Sequence, residues 1–167
     1  MVSLVAMDSR NWRSALEVRV QPERLHWVSS REPVALMLLA KSYVRPDGQE
    51  WFPLIIEDES RVVGVVGIGL DVATDAPSIP QTAWVHHFLI DEREQGRGYG
   101  RAAVRELARW ARVRHPSISL IGLNVLADNH VAFRLYRSLG FEPIALTRDD
   151  QSILVASLSE VAADALG

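Results

Sequence analysis

The stretch DEREQGRGYGRAAVRELARWA, residues 91–111, carries three glycines in five positions and then changes abruptly to alanine, leucine and arginine. Glycine inside regular structure costs about 0.5–1 kcal/mol relative to alanine, so a cluster of this kind needs a local reason. Apolar residues then recur at helical spacing from Val104 to Ala111, which predicts a helix. Because the free amides of a helix N-terminus attract anions, we interpret Gln95-x-x-Gly98-x-Gly100 as a phosphate-binding turn between a strand and this helix.

Two better-known phosphate-binding patterns do not fit this stretch. The Walker pattern G-x-x-x-x-G-K-[ST] is absent, and the dinucleotide pattern G-x-G-x-x-G, started at Gly96, ends on Arg101 instead of glycine. Arg97 and Arg101 add positive charge beside the turn. A flexible strand-to-helix turn without a ligand is the alternative, and the glycines alone do not decide between the two.

The composition of the whole chain is that of an ordinary globular domain. Its 167 residues are 48% apolar and 23% charged, which predicts a single domain over residues 1–167. The net charge of −3 argues against nucleic acid as a partner. The chain has no cysteine, which excludes disulfides and a thiol nucleophile and fits a cytoplasmic protein. We expect no membrane partner, because no apolar run is long enough to span a bilayer and the first residues do not resemble a signal peptide.

Hydrophobic periodicity and turn residues predict an alternating α/β order, β-α-α-β-β-β-α-β-α-β-β. The predicted strands are 3–7, 50–57, 61–70, 82–90, 119–126 and two within 142–158. The predicted helices are 11–18, 31–44, the helix that follows the glycine cluster and ends at 115, and 129–139. Residues 71–81 are predicted to form a long loop.

The last predicted long helix carries two stripes. Asn129, Ala132 and Tyr136 stand at i, i+3 and i+7 and therefore share one stripe. The neighbouring stripe is predicted to face the core and consists of Val131, Leu135 and Leu139. Gly140 stands where a left-handed C-terminal cap belongs, with Phe141 able to pack back onto the last turn.

Two segments together resemble the GNAT superfamily of acyl-CoA-dependent N-acetyltransferases. FLIDEREQGRGYGRAAV, residues 88–104, resembles the pyrophosphate loop Q/R-x-x-G-x-G/A of that superfamily, and DNHVAFRLYRSLGF, residues 128–141, resembles its N-x-x-A-x-x-L-Y-x-x-x-G-F helix. Residues 11–30 and 83–92 are similar to the branch that includes bacterial diamine and spermine/spermidine N-acetyltransferases. A departure is Ala127, where that branch commonly has proline, and we expect it to alter the stiffness of the loop.

The resemblance implies a fold and a cosubstrate. The implied fold is α/β, with a mixed, mostly antiparallel twisted sheet of six to seven strands, about four helices on its two faces, and a splay between the fourth and fifth strands. The implied cosubstrate is acetyl-CoA, with the backbone of residues 88–90 pairing with the pantetheine arm and supplying oxyanion donors. The implied cofactor-binding residues are Phe88, Leu89, Ile90, Gln95, Gly96, Arg97, Gly98, Tyr99, Gly100, Arg101, Asn129, Ala132, Phe133 and Tyr136.

Acetyl transfer to an amine makes several chemical demands. An alkyl amine has a pKa of about 10.4, so the enzyme must remove a proton, stabilise a tetrahedral intermediate and protonate the leaving thiolate. Without a cysteine or a G-x-S-x-G elbow, direct transfer is favoured over an acyl-enzyme. The resemblance assigns the general acid to Tyr136, and the alternative is that Tyr136 only packs on Phe141.

The resemblance does not assign a general base in the way that it assigns the general acid. Several GNAT enzymes use a glutamate on the strand before the phosphate loop, but Trp84 occupies that position here. His86 lies two residues further along the same strand face and titrates in a suitable range, so it is the candidate base. Packing of His86 in the core, with a water chain to solvent as the base, is the alternative.

The acceptor predicted from the resemblance is a primary amine of a small molecule, with a polyamine as one option. Acetylation of a protein N-terminus or of an antibiotic amine and a non-catalytic acyl-CoA-binding module are the other hypotheses. His26, His115 and His130 have no partners at metal-ligand spacing, so no metal site is predicted. A homodimer remains an option that the sequence leaves open. Several tryptophans, among them Trp27 and Trp84, could line the acceptor pocket or belong to the core.

Overall fold

A central sheet of seven strands organises the molecule. The computed structural model describes residues 1–28, 33–46, 50–70, 79, 81–147 and 149–163. The strands are β1 (Val2–Ala6), β2 (Glu50–Asp58), β3 (Arg61–Leu70), β4 (Thr82–Ile90), β5 (Leu120–Val125), β6 (Glu142–Leu146) and β7 (Ser152–Ser157). Their order across the sheet is β1-β2-β3-β4-β5-β7-β6, and every neighbouring pair is antiparallel except β4 and β5. The predicted mixed, mostly antiparallel sheet is confirmed.

Five α-helices and two 3-10 helices complete the described part of the chain. The helices are α1 (Trp12–Leu16), α2 (Val34–Val44), α3 (Tyr99–Arg114), α4 (His130–Arg137) and α5 (Leu158–Ala162). The 3-10 helices are Pro22–Trp27 and Glu92–Glu94. The sequence prediction missed α5 and the first 3-10 helix, and part of the predicted 71–81 loop lies outside the described residues.

Alternation along the strands places a hydrophobic core on each face of the sheet. Ile56 of β2 packs with the apolar face of α3, whereas its neighbour Ile55 packs with Leu38 of α2 on the opposite face. α1 and α2 therefore cover one face, and α3 and α5 cover the other. This arrangement leaves the carboxyl ends of β4 and β5 at one edge of the layers.

The sheet opens between β4 and β5. The parallel pairing runs from Thr82↔Leu120 to Val85↔Leu123 and stops there, although β4 continues to Ile90. The predicted splay between the fourth and fifth strands is therefore confirmed. Its consequence is a cleft with the unpaired edge of β4 on one side.

A bulge in β4 coincides with this opening. Gly67 of β3 pairs with His86 and Val65 pairs with Leu89, so β4 has one more residue than β3 between these pairs. His87 accommodates the extra residue with a φ of 50°, which is rare for a residue other than glycine. The bulge changes the direction of the main chain as it enters the cleft.

The core stripe predicted for α4 is partly wrong. Leu139 is buried as predicted, but Val131 is 63% exposed and Tyr136 is only 6% exposed. The physical reason is that only the second half of α4 reaches the core, while Val131 lies at the rim of the cleft. The stripe of Asn129, Ala132 and Tyr136, which was predicted to contact a ligand, therefore also contributes Tyr136 to the core.

The predicted C-terminal cap of α4 is confirmed. Gly140 has a φ of 89°, and the Phe141 amide donates a hydrogen bond to the carbonyl oxygen of Tyr136 at 3.1 Å. Phe141 is fully buried, and its ring centroid lies 5.5 Å from that of Tyr136. In the described ranges, no helix combines the length and the apolar character needed to cross a membrane.

Candidate functional site

The opening between β4 and β5 contains a cavity of about 450 Å³, called here the larger cavity. It is lined from one side by the second half of β4 and the turn before α3, and from the other by β5 and α4. The predicted cofactor-binding residues that line it are Phe88, Leu89, Ile90, Gln95, Gly96, Gly98, Tyr99, Gly100, Arg101, Asn129, Ala132 and Tyr136. Arg97 and Phe133 do not line it.

The turn before α3 presents free backbone amides to the larger cavity. Gly96 and Gly98 have φ values of 77° and 84°, which glycine adopts without strain. Ala102 is the first residue of α3 whose amide reaches a main-chain acceptor, the Gly98 oxygen at 3.1 Å. Among the described residues, the amides of residues 99–101 have no main-chain acceptor, as is usual at a helix N-terminus, so this end of the cavity favours an anion.

The arginines around the turn differ in their partners. Glu94 forms ion pairs with Arg61 and Arg97, and the Arg97 contact is 3.0 Å long. These two arginines are therefore committed to a carboxylate. In the described lining of the larger cavity, the cationic side chains are Arg24 and Arg101.

Gln95 connects the turn with two other elements. Its amide nitrogen donates to the Ile90 oxygen at 3.0 Å, which fixes the side chain against the end of β4. Its amide oxygen accepts a hydrogen bond from Arg24 Nη1 at 3.2 Å. Arg24 belongs to the 3-10 helix that was missed from the sequence, so this contact was not predicted.

Tyr136 lies against both the core and the larger cavity. Burial raises the pKa of its phenol above the ordinary value, which keeps the hydroxyl protonated at neutral pH. No hydrogen-bond partner for this hydroxyl occurs among the residues that the structure describes. Tyr136 therefore packs on Phe141 and also lines the larger cavity.

Asn129 caps α4 at the opposite wall of the larger cavity. Its Oδ1 atom accepts a hydrogen bond from the Ala132 amide at 3.2 Å. This is the capping role expected of asparagine at a helix start. The residue also lines the cavity, so the cap does not remove it from a ligand.

A second cavity of about 280 Å³, called here the smaller cavity, adjoins the first. The residues that line both cavities are Trp27, Val28, Val85, His87 and Asn124. The other residues of the smaller cavity are His26, Trp84, His86, Leu126 and Gln151. The shared residues show that the two cavities meet where the sheet opens.

His86, the candidate base, belongs to the smaller cavity. Its Nε2 atom is enclosed and has no hydrogen-bond partner in the described part of the chain. Burial, reinforced by the nearby His87 and Lys41, lowers the pKa of His86 to about 3. The ring is therefore neutral at physiological pH, and its centroid lies 4.7 Å from that of Trp51.

Trp84 packs closely on β5 beside the smaller cavity. A Cβ atom at Gly122 would lie 2.7 Å from the Trp84 ring. Glycine is therefore required at position 122 by the close approach of the indole. Trp84 is 4% exposed, which supports the alternative that this tryptophan is mainly a core residue.

His87 holds the bulge through both ring nitrogens. Its Nδ1 atom lies 2.7 Å from the Val28 oxygen, so Nδ1 carries the proton and donates. Its Nε2 atom then accepts a hydrogen bond from Lys41 Nζ at 2.9 Å. Burial lowers the pKa of both His87 and Lys41. The sequence analysis missed Lys41, since its spacing to His87 exists only in the folded chain.

Within the described residues, no group of three or more His, Asp or Glu side chains is arranged to hold a metal ion. The two cavities are lined by main-chain amides, imidazoles, one buried phenol, two arginines and the Glu94 carboxylate.

Comparison with known proteins identifies the class to which this fold and site belong. Residues 10–141 match the model of the acetyltransferase (GNAT) family. The chain belongs to this family and is an acyl-CoA-dependent N-acetyltransferase.

Two curated relatives illustrate the range of the family. The spermine/spermidine N(1)-acetyltransferase of Bacillus subtilis is 26% identical over 145 residues, which cover 84% of this chain and 88% of that protein. The N-alpha-acetyltransferase RimI of Mycobacterium tuberculosis is 42% identical over 64 residues, which cover 38% of this chain and 37% of that protein.

Solved structures share the fold at low sequence identity. The aminoglycoside acetyltransferase AAC(6')-Ib, in complex with paromomycin and acetyl-CoA, superimposes with a TM-score of 0.74 at 19% identity and covers 95% of this chain and 94% of its own. The spermidine N-acetyltransferase of Vibrio cholerae, in complex with CoA and spermine, gives a TM-score of 0.72 at 16% identity and covers 96% and 97%. Both comparisons support the fold described above.

Proposed function

We propose that the larger cavity binds acetyl-CoA, that the smaller cavity binds a primary amine, and that the acetyl group passes directly between them. The observation that carries this proposal is that Tyr136 and the turn before α3, with its glycines, line one cavity. That cavity joins the smaller one at the bulge of β4. Acetyl-CoA supplies an activated acyl group as a thioester.

The residues present fit this cosubstrate. The amides of residues 99–101 and the guanidinium of Arg101 suit the negative charge of a diphosphate. Beyond Val85, the edge of β4 has no partner in β5, so its polar groups, apart from the Ile90 oxygen that Gln95 occupies, are available to the pantetheine arm. We propose that the amides of residues 88–90 stabilise the oxygen that becomes negatively charged during transfer.

Tyr136 is proposed as the general acid. Its protonated phenol lines the larger cavity and is available to give a proton to the departing thiolate. The amine nitrogen first bonds to the carbonyl carbon and gives a tetrahedral intermediate, and the nitrogen loses its proton to water. When the intermediate collapses, the bond from carbon to sulfur breaks and the sulfur takes the proton of Tyr136. Water restores the proton of Tyr136.

His86 is proposed to orient the amine. A neutral imidazole with a pKa of about 3 accepts a hydrogen bond from the amine but does not retain a proton taken from an ammonium group. The sequence left two candidates for the general base, His86 and a chain of water molecules. The low pKa of His86 supports loss of the amine proton through water. His86 lines the smaller cavity, and its enclosed Nε2 atom has no hydrogen-bond partner in the described part of the chain, which supports a contact with the amine once neighbouring side chains give access to that atom.

The first acceptor class that we propose is a small-molecule primary amine such as a polyamine. The support is the similarity to the spermine/spermidine acetyltransferase, which extends over 84% of this chain.

A second candidate acceptor is the amino terminus of a peptide. None of the described residues that line the smaller cavity is a carboxylate that would attract a polycation. Its Asn124 and Gln151 instead carry amides, which suit a peptide backbone.

A competition among acceptors tests the proposed function. Release of CoA from acetyl-CoA is followed with spermine, spermidine, a simple alkyl monoamine and a short peptide with a free amino terminus. Turnover of one of these, lost on Tyr136→Phe with CoA binding retained, supports the mechanism. Tight CoA binding without turnover of any of them supports the non-catalytic module. Failure to bind CoA contradicts the proposed function altogether.

A further inference from the structure

One short segment covers both cavities. The 3-10 helix Pro22–Trp27 and the following Val28, called here the roof, place Arg24 over the larger cavity and His26 over the smaller one. Trp27 and Val28 line both. A change in the position of the roof therefore changes the two cavities together.

Three polar contacts fix the roof, and Leu25 and Val28 are also partly buried against the core cluster that contains Leu38. His26 Nε2 lies 2.9 Å from Asp128 Oδ2, and the Val28 oxygen accepts a hydrogen bond from His87 at 2.7 Å. The third contact is the 3.2 Å hydrogen bond from Arg24 to Gln95. None of the six residues of the 3-10 helix is buried in the core. An element held in this way opens locally at a lower free energy than a core strand.

Two arginines that line the larger cavity, Arg24 and Arg101, have neutral hydrogen-bond acceptors. Arg101 donates to Ser138 Oγ at 2.8 Å, and Arg24 is the one that belongs to the roof. Arg97, which the sequence suggests as a phosphate ligand, is paired with Glu94, and Arg61 is paired with the same carboxylate. Arg24 instead donates to Gln95, a neutral amide, from the lip of the larger cavity. A guanidinium bonds a phosphate oxygen more strongly than an amide oxygen, since the bond is charge-assisted and can be bidentate.

We infer that Arg24 exchanges the Gln95 oxygen for the diphosphate of CoA and thereby draws the roof over the acceptor pocket. This inference rests on the proposed function, since it places CoA in the larger cavity. Gln95 keeps its own anchor after the exchange, because its amide nitrogen remains bonded to Ile90. Arg24 is a binding residue for the cosubstrate and, through the roof, a positioning residue for the acceptor.

Calorimetry with CoA alone tests the binding role. Arg24→Ala weakens CoA binding about tenfold, which is the loss expected for one charge-assisted contact. Arg24→Lys recovers part of the affinity, because lysine restores the positive charge but not the bidentate hydrogen bonding of the guanidinium. Arg112→Ala, at an exposed position outside the lining of both cavities, is the control and changes the dissociation constant by no more than about threefold. With dephospho-CoA the Arg24→Ala defect persists, since the diphosphate remains.

Hydrogen exchange tests the positioning role without any acceptor. CoA slows amide exchange in residues 23–28 of the wild type and of Arg112→Ala, and it does not do so in Arg24→Ala. A purely structural arginine would give faster exchange in this segment both with and without CoA.

The outcomes separate the two proposals. If the wild type does not bind CoA, the proposed function fails. The proposed function survives and only the inference is overturned if the wild type binds CoA and Arg24→Ala binds it equally well. Loss of the Arg24→Ala defect with dephospho-CoA also overturns the inference, as does a CoA-dependent slowing of roof exchange in Arg24→Ala. Unfolding curves of Arg24→Ala confirm that the variant is folded.

Discussion

The two cavities are built in different ways. The anion-binding end of the larger cavity comes from one contiguous turn, residues 95–101, and is made of main-chain amides whose direction depends on glycine φ values. The smaller cavity takes its side chains from segments far apart in the chain, including His26, His86, Asn124 and Gln151. Recognition by a local backbone turn is encoded within a few residues, whereas a pocket of distant side chains exists only after folding.

The largest expected effect is the loss of the proton donor. Tyr136→Phe is expected to lower kcat about a hundredfold, since general acid catalysis contributes about 10²–10⁴-fold, while the KM for acetyl-CoA changes little. The fold tolerates the change, because no described side chain bonds the hydroxyl. Steady-state release of CoA, with whichever acceptor of the competition experiment turns over, measures it. An unchanged kcat would remove Tyr136 from the chemical step.

Next in size is the effect of straining the turn. Gly98→Ala is expected to weaken CoA binding about tenfold, because an L residue in the left-handed region costs about 1–2 kcal/mol. The effect comes from the φ of 84° alone, since a Cβ at Gly98 meets nothing within 4 Å. Calorimetry measures the affinity.

Gly100→Ala provides the matched control for this experiment. Gly100 has no positive φ, and its added Cβ would lie 3.4 Å from Leu135, an ordinary contact. Its CoA affinity is expected to stay within about threefold of the wild type, given the cost of an unstrained surface substitution. Equal losses in Gly98→Ala and Gly100→Ala would show that bulk, and not φ, governs the turn.

A smaller effect is expected on stability at acid pH. The pKa of His86 is about 3 in the folded chain and about 6.5 when unfolded, so the unfolded chain binds more protons between these values. Stability is therefore lost as the pH falls below about 6.5, by about 1 kcal/mol from His86 between pH 7.5 and 5.5.

Urea unfolding at the two pH values measures this difference. His86→Phe is expected to show a shallower loss than the wild type. His130→Phe, at an exposed position, is expected to keep the wild-type loss. A loss unaltered by His86→Phe would show that His86 is not the buried titrating group.

The smallest expected effect concerns the bulge. Lys41→Met removes a cation 2.9 Å from His87 Nε2, so the pKa of His87 is expected to rise. The pKa rises because the ammonium group of Lys41, which disfavours a second positive charge on the His87 imidazole, is no longer present. An NMR titration of the His87 ring measures it, and a pKa that falls would contradict the hydrogen bond between the two side chains.

The local features of the fold were predictable from the sequence. The glycine turn, the apolar face of α3 and the left-handed cap at Gly140 each depend on residues within a few positions of one another. The positions of the seven strands along the chain also follow from local periodicity, whereas their order across the sheet was not predicted. Most of the residues expected to bind CoA line one cavity for the same reason, since they lie in two short segments.

The features that were missed depend on tertiary contacts. The roof is a 3-10 helix without a buried stripe, so periodicity does not reveal it, although Pro22 is a signal for a helix start. The contact between Lys41 and His87 joins residues 46 positions apart. Val131 was assigned to the core by its spacing, but α4 enters the core only with its second half. Tertiary placement overrode the local pattern in each case.

The close packing of Trp84 on Gly122 also restricts the order in which substitutions at these two positions can accumulate. A methyl group at position 122 would enter the space of the indole, so no larger residue fits while the tryptophan remains. Replacement of the tryptophan by a smaller side chain relieves that restriction, whereas the reverse order passes through a clashing intermediate. Substitutions at these two positions are therefore accessible in one order only, with the residue on β4 changing first.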